Sequence, residues 1–438
     1  MLPGKSNLLK FEGKKSVEMN IIEDTNRHWK WNLFLMWSSQ LLVLAGFAAV
    51  MPFIPLFLKD VLGYADERTR GVWMSAFYFF GTFGYALLCP IWGALSDRFG
   101  VKPMLLRGTF GTALIFPLMA YAPNGAMLVL LRFLSAACAG TTAASQTLLV
   151  KNTPENKQGF ALGVLSTAIW GGTMLGNVVG GIVVHYYGYK FTFMACGAMY
   201  FLAGFIVLLA HEDFKPVVKA AAKHVKTGLG GWMPEFTTAV WMMLGLMCLT
   251  GFVRYFEVPY LAMQIELITG SKEAAYWTGI ISAFVAVGAL LSGMITGYLS
   301  DRVKPLYILV PVFAVTVVTM FIQAFATNLW LFGISRTLMY LAAGGIYSVL
   351  QKLLSAATPK RKRGKVFGFS TTANSAGIML STVFAGGAIW LSGVRGVFVA
   401  AAILSALLIP CYMGVISKIM RQPYFSSQYK KIMASKRK

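Results

Sequence analysis

Runs of about twenty apolar residues, separated by short polar loops, recur along the whole chain, and a chain patterned this way cannot turn most of its length toward water. The runs lie near 32–58, 72–95, 104–121, 127–149, 159–184 and 191–210, then near 237–262, 276–299, 306–324, 329–351, 366–391 and 397–420. A helix needs ~20 such residues to cross ~30 Å of hydrocarbon. Twelve spans are therefore expected. Composition agrees: 57% of the 438 residues are hydrophobic and only 13% charged, where a soluble domain carries about 25% charged residues. The expected class is an all-α membrane protein, since a helix satisfies its own backbone in lipid.

The formal net charge of +23 could suggest a nucleic-acid partner, but no basic domain stands apart from the spans. Thirty Lys and Arg fall on one side of the expected bilayer. Six fall on the other: Lys59, Arg68, Arg70, Lys190, Lys272 and Arg395. The positive-inside bias then places both termini in the cytoplasm, with anionic lipid headgroups as partners of the basic ends. The expected divisions are a cytoplasmic segment 1–30, a six-helix bundle 31–210, a linker 211–236, a second bundle 237–420 and a basic tail 421–438. The polar N-terminal segment and the long first run argue against a cleavable signal. Five cysteines (Cys89, Cys138, Cys196, Cys248, Cys411) sit in apolar stretches with no CxxC pair, so neither disulfides nor a zinc site is expected.

The second set of runs repeats the first. Gly93-Ala94-Leu95-Ser96-Asp97-Arg98 returns as Gly297-Tyr298-Leu299-Ser300-Asp301-Arg302, 204 residues later. Arg132 and Arg336, Pro55 and Pro259, and Gly140 and Gly344 share that offset; Gly159 and Gly163 match Gly364 and Gly368 at 205. A constant offset across several spans indicates duplication. Two six-helix bundles of like direction are parallel repeats, an architecture that can rock about a central site.

The stretch Gly93-Ala-Leu-Ser-Asp97-Arg98-Phe-Gly100-Val101-Lys102-Pro resembles the loop signature GxLSDRxGRKxx of the major facilitator superfamily, with Val101 in place of one Arg. Leu128-x3-Arg132-x7-Gly140 is similar to the fourth-span motif of its drug/proton antiporters. Gly172-x3-Gly176-Asn177-x2-Gly180-Gly181 matches their fifth-span motif except that Asn177 replaces proline. The resemblance implies the major facilitator fold, and bacterial multidrug exporters match best. It also implies that the loop residues Gly93, Asp97, Arg98, Gly100, Lys102, Gly297, Asp301 and Arg302 form a conformational latch. On physical grounds Gly93 allows close helix approach, and the glycines spaced by four on one face imply tight packing.

Charges inside spans are functional candidates by default, each costing at least ~2.5 kcal/mol at a helix centre. Three arginines (Arg132, Arg254, Arg336) and one carboxylate, Glu257, fall there. Arg254 and Glu257 are three apart and can meet on one helix face. Two readings of Glu257 stay open: a proton-coupling group raised by burial, or a static partner of Arg254. Gln40, Gln146, Gln351, Tyr78 and Trp170 are candidates for lining a cavity.

The expected function is secondary transport: proton-coupled export of small amphipathic or drug-like molecules, or else uptake of an organic ion or metabolite. An embedded enzyme or a receptor is the remote alternative. All four histidines lie in loops or at span ends, and no HExxH, GxSxG or Walker loop occurs, which disfavours a hydrolase or an ATP-driven pump. No cofactor, metal or nucleic acid is expected. The location read from the sequence is the bacterial inner membrane, with the protein acting as a monomer.

Overall fold

A computed structural model describes residues 29–154, 157–212, 236–300, 302–358 and 363–421, without the side chains of 90, 97 and 363–365. The expected linker, most of the N-terminal segment and tail, Asp301 and the Asp97 side chain lie outside the described residues. Ten helical elements follow one another: α1 Trp29–Asp60, α2 Glu67–Phe99, α3 Val101–Met119, α4 Gly125–Asn152, α5 Gln158–Leu208, α6 Thr238–Thr269, α7 Ser271–Ser300, α8 Pro305–Phe325, α9 Leu329–Ala357 and α10 Arg363–Met420. No strand occurs among the described residues. Among them, nine helices are long and apolar enough, by length and composition, to cross a membrane. Two of these are twice the needed length: α5, of 51 residues, and α10, of 58, each hold one non-helical residue, Gly188 (φ 80°) and Gly393 (φ 69°). Only glycine takes that backbone without strain, so each long helix can reverse there.

The duplication is visible in how the helices break. Inside α4 the helix stops at Cys138 and restarts at Thr141 through Gly140 (φ 117°); inside α9 it stops at Ala343 and restarts at Ile346. Short 3₁₀ turns interrupt α1 at Met51–Phe53 and α6 at Val258–Tyr260. These turns lie 207 apart, so Pro259 corresponds to Pro52 in shape rather than to Pro55. The loop at 61–66 is five residues longer than its counterpart, Gly270 alone, and the helical stretch after the turn is two residues shorter (7 against 9), which together bring the offset from 207 back to 204.

Packing repeats as well. Within the first set α3 packs on α5 and α4, and α2 on α4; within the second α8 packs on α10 and α9, and α7 on α9. The principal contacts between sets are α5 with α7 and α2 with α10, which exchange with each other when the sets are exchanged. Asn32, Lys102, Asn152 and Glu212 all hydrogen-bond around residues 208–212 or the start of α3, marking one face, here called proximal. The opposite, distal face holds the ends of α1 and α6 and the starts of α2 and α7.

The hydrophobic core is divided along that axis. One buried cluster at the distal side draws on both sets, joining Ile54, Phe57, Met74 and Phe77 to Phe256, Tyr260, Ile281 and Ile389. Toward the proximal side each set keeps its own: Leu33, Met36, Leu105, Leu148 and Leu165 in one, Met243, Leu309, Leu350, Leu354 and Tyr412 in the other. Among the described residues, then, the two sets share a core on the distal side and keep separate cores on the proximal side.

The glycine stripe of α5 shows why small residues are needed. A Cβ at Gly172, Gly176 or Gly180 would lie 2.6, 2.2 and 2.5 Å from backbone atoms of Leu41, Ala45 and Ala49, spaced by four on α1. Gly181 turns instead to the second set, where its Cβ would stand 2.9 Å from the Ala275 carbonyl oxygen and 3.0 Å from Gly279 Cα. Asn177, in the expected proline's place, is buried with its carbonyl oxygen against Gly279.

Candidate functional site: buried charges around the seam

Glu257 lies in the break of α6, between the helical stretch that ends at Tyr255 and the 3₁₀ turn Val258–Tyr260. Pro259 lacks an N–H and helps hold the chain out of the α-helical ladder there. In the break Glu257 pairs with α9 rather than with Arg254, so the reading of Glu257 as a static partner of Arg254 is corrected. The partner is Arg336, whose Nη1 lies 2.7 Å from Glu257 Oε2. Both side chains are fully buried. The same guanidinium donates to Gln323 Oε1 at 3.1 Å, and Gln323 in turn donates to the Thr319 carbonyl oxygen. Neither Glu257 oxygen accepts an aligned hydrogen bond, so the contact is mainly coulombic. Beside it is a cavity of about 20 Å³ lined by Arg254, Glu257, Thr316, Tyr340 and Ser405, enough for about one water. Arg254 forms no ion pair among the described residues, and its guanidinium stands 6.0 Å from the Tyr340 ring, which Arg336 approaches to 5.2 Å.

The matching arginine of the first set has a different environment. Arg132, on α4, faces the rings of Phe47 and Phe77 at 5.1 and 5.5 Å and reaches Ser135 Oγ at 3.4 Å. Its Nε is buried without a partner. Gly81 on α2 makes room, since a Cβ there would fall 2.6 Å from that nitrogen. Half-buried Tyr78 is near Arg132. Gln40 is wholly buried, accepts from Thr142 Oγ1 at 3.0 Å and leaves its Nε2 unsatisfied. Gln351 donates to Ser370 Oγ at 3.2 Å, whereas Gln146 and Trp170 are exposed.

A charged knot closes the distal face, and sequence reasoning missed it because its residues read as loop charges. Glu266 takes Arg70 Nη1 at 2.7 Å and Lys59 Nζ on its other oxygen. Both cations come from the first set and the carboxylate from the second. Tyr260 and Ser75 share a 2.6 Å hydrogen bond, and His185 Nδ1 lies 3.1 Å from the Lys272 carbonyl oxygen. The sequence signal was the placing of Lys59 and Arg70 in one expected outer loop and Glu266 in its repeat. Glu266→Gln should loosen this closure: a thiol-reactive probe on a cysteine placed at Ser75 is expected to react several-fold faster in the variant. An unchanged rate would count against the knot as a closing element.

At the proximal face the loop motif acts within one set. Gly100 (φ 97°) makes the turn between α2 and α3. Glu212 then caps α3, its two oxygens accepting from the Val101 and Lys102 amides at 2.7 Å each. Lys102 Nζ donates to the Leu208 and Ala210 carbonyl oxygens at 2.8 Å, near the end of α5, where a cation suits the helix dipole. Arg98 lies 5.2 Å from the Phe99 ring and Arg302 4.1 Å from the Tyr298 ring. The expected close helix approach at Gly93 is not seen among the described residues, where no atom lies within 4 Å of a Cβ built there or at Gly297. Glu212→Ala removes the cap and should cost ~1–2 kcal/mol by thermal unfolding in detergent.

On the distal side, Asp66 caps α2 through the Thr69 amide and hydroxyl at 2.8 and 2.7 Å, and the amide bond holds its carboxyl below the ordinary range.

The family model of the Major Facilitator Superfamily matches this chain twice, over residues 36–322 and 258–434. The chain belongs to the Major Facilitator Superfamily. As a facilitator it is a multi-pass membrane transporter of small molecules, not an enzyme. It is 31% identical over 381 residues to the multidrug resistance protein MdtG of Citrobacter koseri, covering 86% of this chain and 92% of that one. To the multi-drug resistance efflux pump PmrA of Streptococcus pneumoniae it is 30% identical over 357 residues, 79% and 86% of the two chains. Among solved structures it resembles the nucleoside transporter NupG, at TM-score 0.71 and 11% identity, over 88% of this chain and 99% of that one. It also resembles a bacterial homolog of the human lysosomal transporter Spinster in an inward-facing, unoccupied conformation, at TM-score 0.68 and 15% identity, over 93% and 98%. At such identities the structures show the fold alone. Of the residues singled out from this facilitator's sequence, Glu257 and Arg254 line one cavity and Arg336 pairs with Glu257, Arg132 stands in the other set, and the loop motif lies apart at the proximal face. No group of three or more His, Cys, Asp or Glu among the described residues could hold a metal.

Proposed function

We propose that this facilitator is a proton-coupled exporter of small amphipathic, drug-like molecules that works by alternating access. The observation that carries the reading is Glu257, a fully buried carboxylate without an aligned hydrogen bond, beside a water-sized cavity and against one guanidinium. Such a group can take a proton with little rearrangement, and its neutralisation frees Arg336. The relatives named for multidrug resistance and efflux match over most of both chains and support export. The shared distal core and separate proximal cores are what one end state of a rocking pair looks like.

The rest of the reading follows from that cycle. The chain crosses a bacterial inner membrane twelve times, reversing at Gly188 and Gly393, with the proximal face and both termini cytoplasmic by the positive-inside bias. Its basic ends meet anionic headgroups, and one copy suffices for transport. In the opposite state the two loop motifs, at 93–102 and 297–302, come together as a latch.

The test is flux in proteoliposomes under an imposed pH gradient. Dye extruded from the proximal side should be driven by protons entering from the distal side and stop when a protonophore collapses the gradient. Equal flux with and without the gradient would refute proton coupling. Uptake toward the proximal side would refute export.

A further inference from the structure

The membrane interior carries an imbalance of charge that bears on the cargo. Among the described residues, Arg132, Arg254 and Arg336 lie deep in the helices against a single carboxylate there, Glu257, and that carboxylate belongs to Arg336. Every other described acidic residue lies toward one face, as Asp60, Asp66, Glu67, Glu266 and Glu273 do on the distal side. Arg132 and Arg254 are left without an acidic partner among the described residues, one in each set of helices. Both are half-buried, and holding such groups unneutralised within the membrane interior is costly, so their retention calls for something that supplies negative charge.

Tyr78 on α2 lies within electrostatic range of Arg132 and also of Tyr255 on α6; Tyr255 lies within such range of Arg254. The two tyrosines thus stand between the arginines as successive electrostatic neighbours, one tyrosine in each set. Tyr255 is open, at 39% exposure, and Phe47 and Phe77 flank Arg132. Aromatic rings beside one guanidinium that has no acidic partner among the described residues, and a second guanidinium outside any described ion pair, suit a flat ring system bearing an acid group. A lipophilic cation would add a third unmatched positive charge.

We infer that the cargo is an amphipathic organic anion, an aromatic body bearing a carboxylate or sulfonate, held between Arg132 and Arg254. This rests on the proton-exchange reading for its driving force but not for its recognition. With protons entering and an anion leaving, both movements carry positive charge inward, so an inside-negative potential would speed the cycle.

The experiment compares two dyes on one xanthene body, carboxyfluorescein as the anion and a rhodamine as the cation, using the full-length protein. Binding is read by tryptophan quenching in detergent and flux in proteoliposomes. The wild type is expected to bind the anion about 10- to 100-fold more tightly, as charge-assisted bonds provide, with the preference shrinking as salt rises. Arg132→Gln and Arg254→Gln should each weaken anion binding about tenfold, and Arg132→Lys should recover part of the loss. Equal or tighter binding of the cation overturns the inference, as does failure to bind either dye, and the wild type alone suffices to see either outcome. Rhodamine flux driven by the pH gradient would defeat this inference and leave proton exchange standing. Carboxyfluorescein flux indifferent to the gradient would do the reverse.

Discussion

Arg336→Ala is expected to lower the unfolding temperature more than any other single change considered for the membrane interior. The substitution leaves Glu257 wholly buried with no other ion-pair partner among the described residues. Breaking such a pair from one side costs ~3–5 kcal/mol, a large part of the ~5–15 kcal/mol by which a folded domain is typically stable. Adding Glu257→Gln should restore most of that loss, because the orphaned charge is gone. Glu257→Gln alone leaves Arg336 as the unmatched buried charge and so also destabilises the fold, though less, since Arg336 keeps Gln323 and gains an amide oxygen. Its flux, in contrast, should no longer respond to a pH gradient. The measurement is thermal unfolding of the three variants in detergent, alongside gradient-driven flux. If the double variant is no more stable than Arg336→Ala, the ion pair is not what the arginine contributes.

The second large effect is expected at the seam. Gly181→Val places a branched side chain where the Ala275 carbonyl oxygen and Gly279 Cα already stand 2.9 and 3.0 Å from a Cβ. Both are backbone, which cannot swing aside as a side chain can. The sets should remain folded but be unable to meet on the distal side, so transport falls at least tenfold while thermal stability changes little. Gly176→Val makes the contrast. Its Cβ would lie 2.2 Å from the Ala45 carbonyl oxygen inside the first set, so there the fold itself should suffer, with overpacking of this kind costing ~1–3 kcal/mol or more. Equal damage to stability from the two changes would mean that Gly181 is an ordinary packing glycine.

The membrane class, the duplication and the glycine stripe were legible because each rests on repetition along the chain. Hydrophobic period and constant offset survive without knowledge of distant contacts. The partner of Glu257 was not legible in the same way. Spacing of three suggested Arg254, but that argument assumes an unbroken helix, and the Val258–Tyr260 turn removes the assumption. Arg336 is 79 residues further on, and only folding brings it near. Similarly, Glu212 gave no pattern that marked it as a cap for α3. Lys59, Arg70 and Glu266 were hidden by the habit of reading charges near span ends as topology signals. Arg70 is 5% exposed, which no loop residue free in water would be.

The division of the buried apolar clusters separates durability from turnover. Side chains such as Leu105 or Leu350 keep the same neighbours throughout a rocking cycle. Filling space around them would raise heat resistance without slowing the pump. Side chains such as Tyr260 and Phe77, in the cluster that both sets share, give up neighbours if the distal side opens, so tightening them trades speed for robustness. Evolution or an engineer can thus adjust how hard the molecule is to unfold and how fast it cycles by working at opposite ends of it.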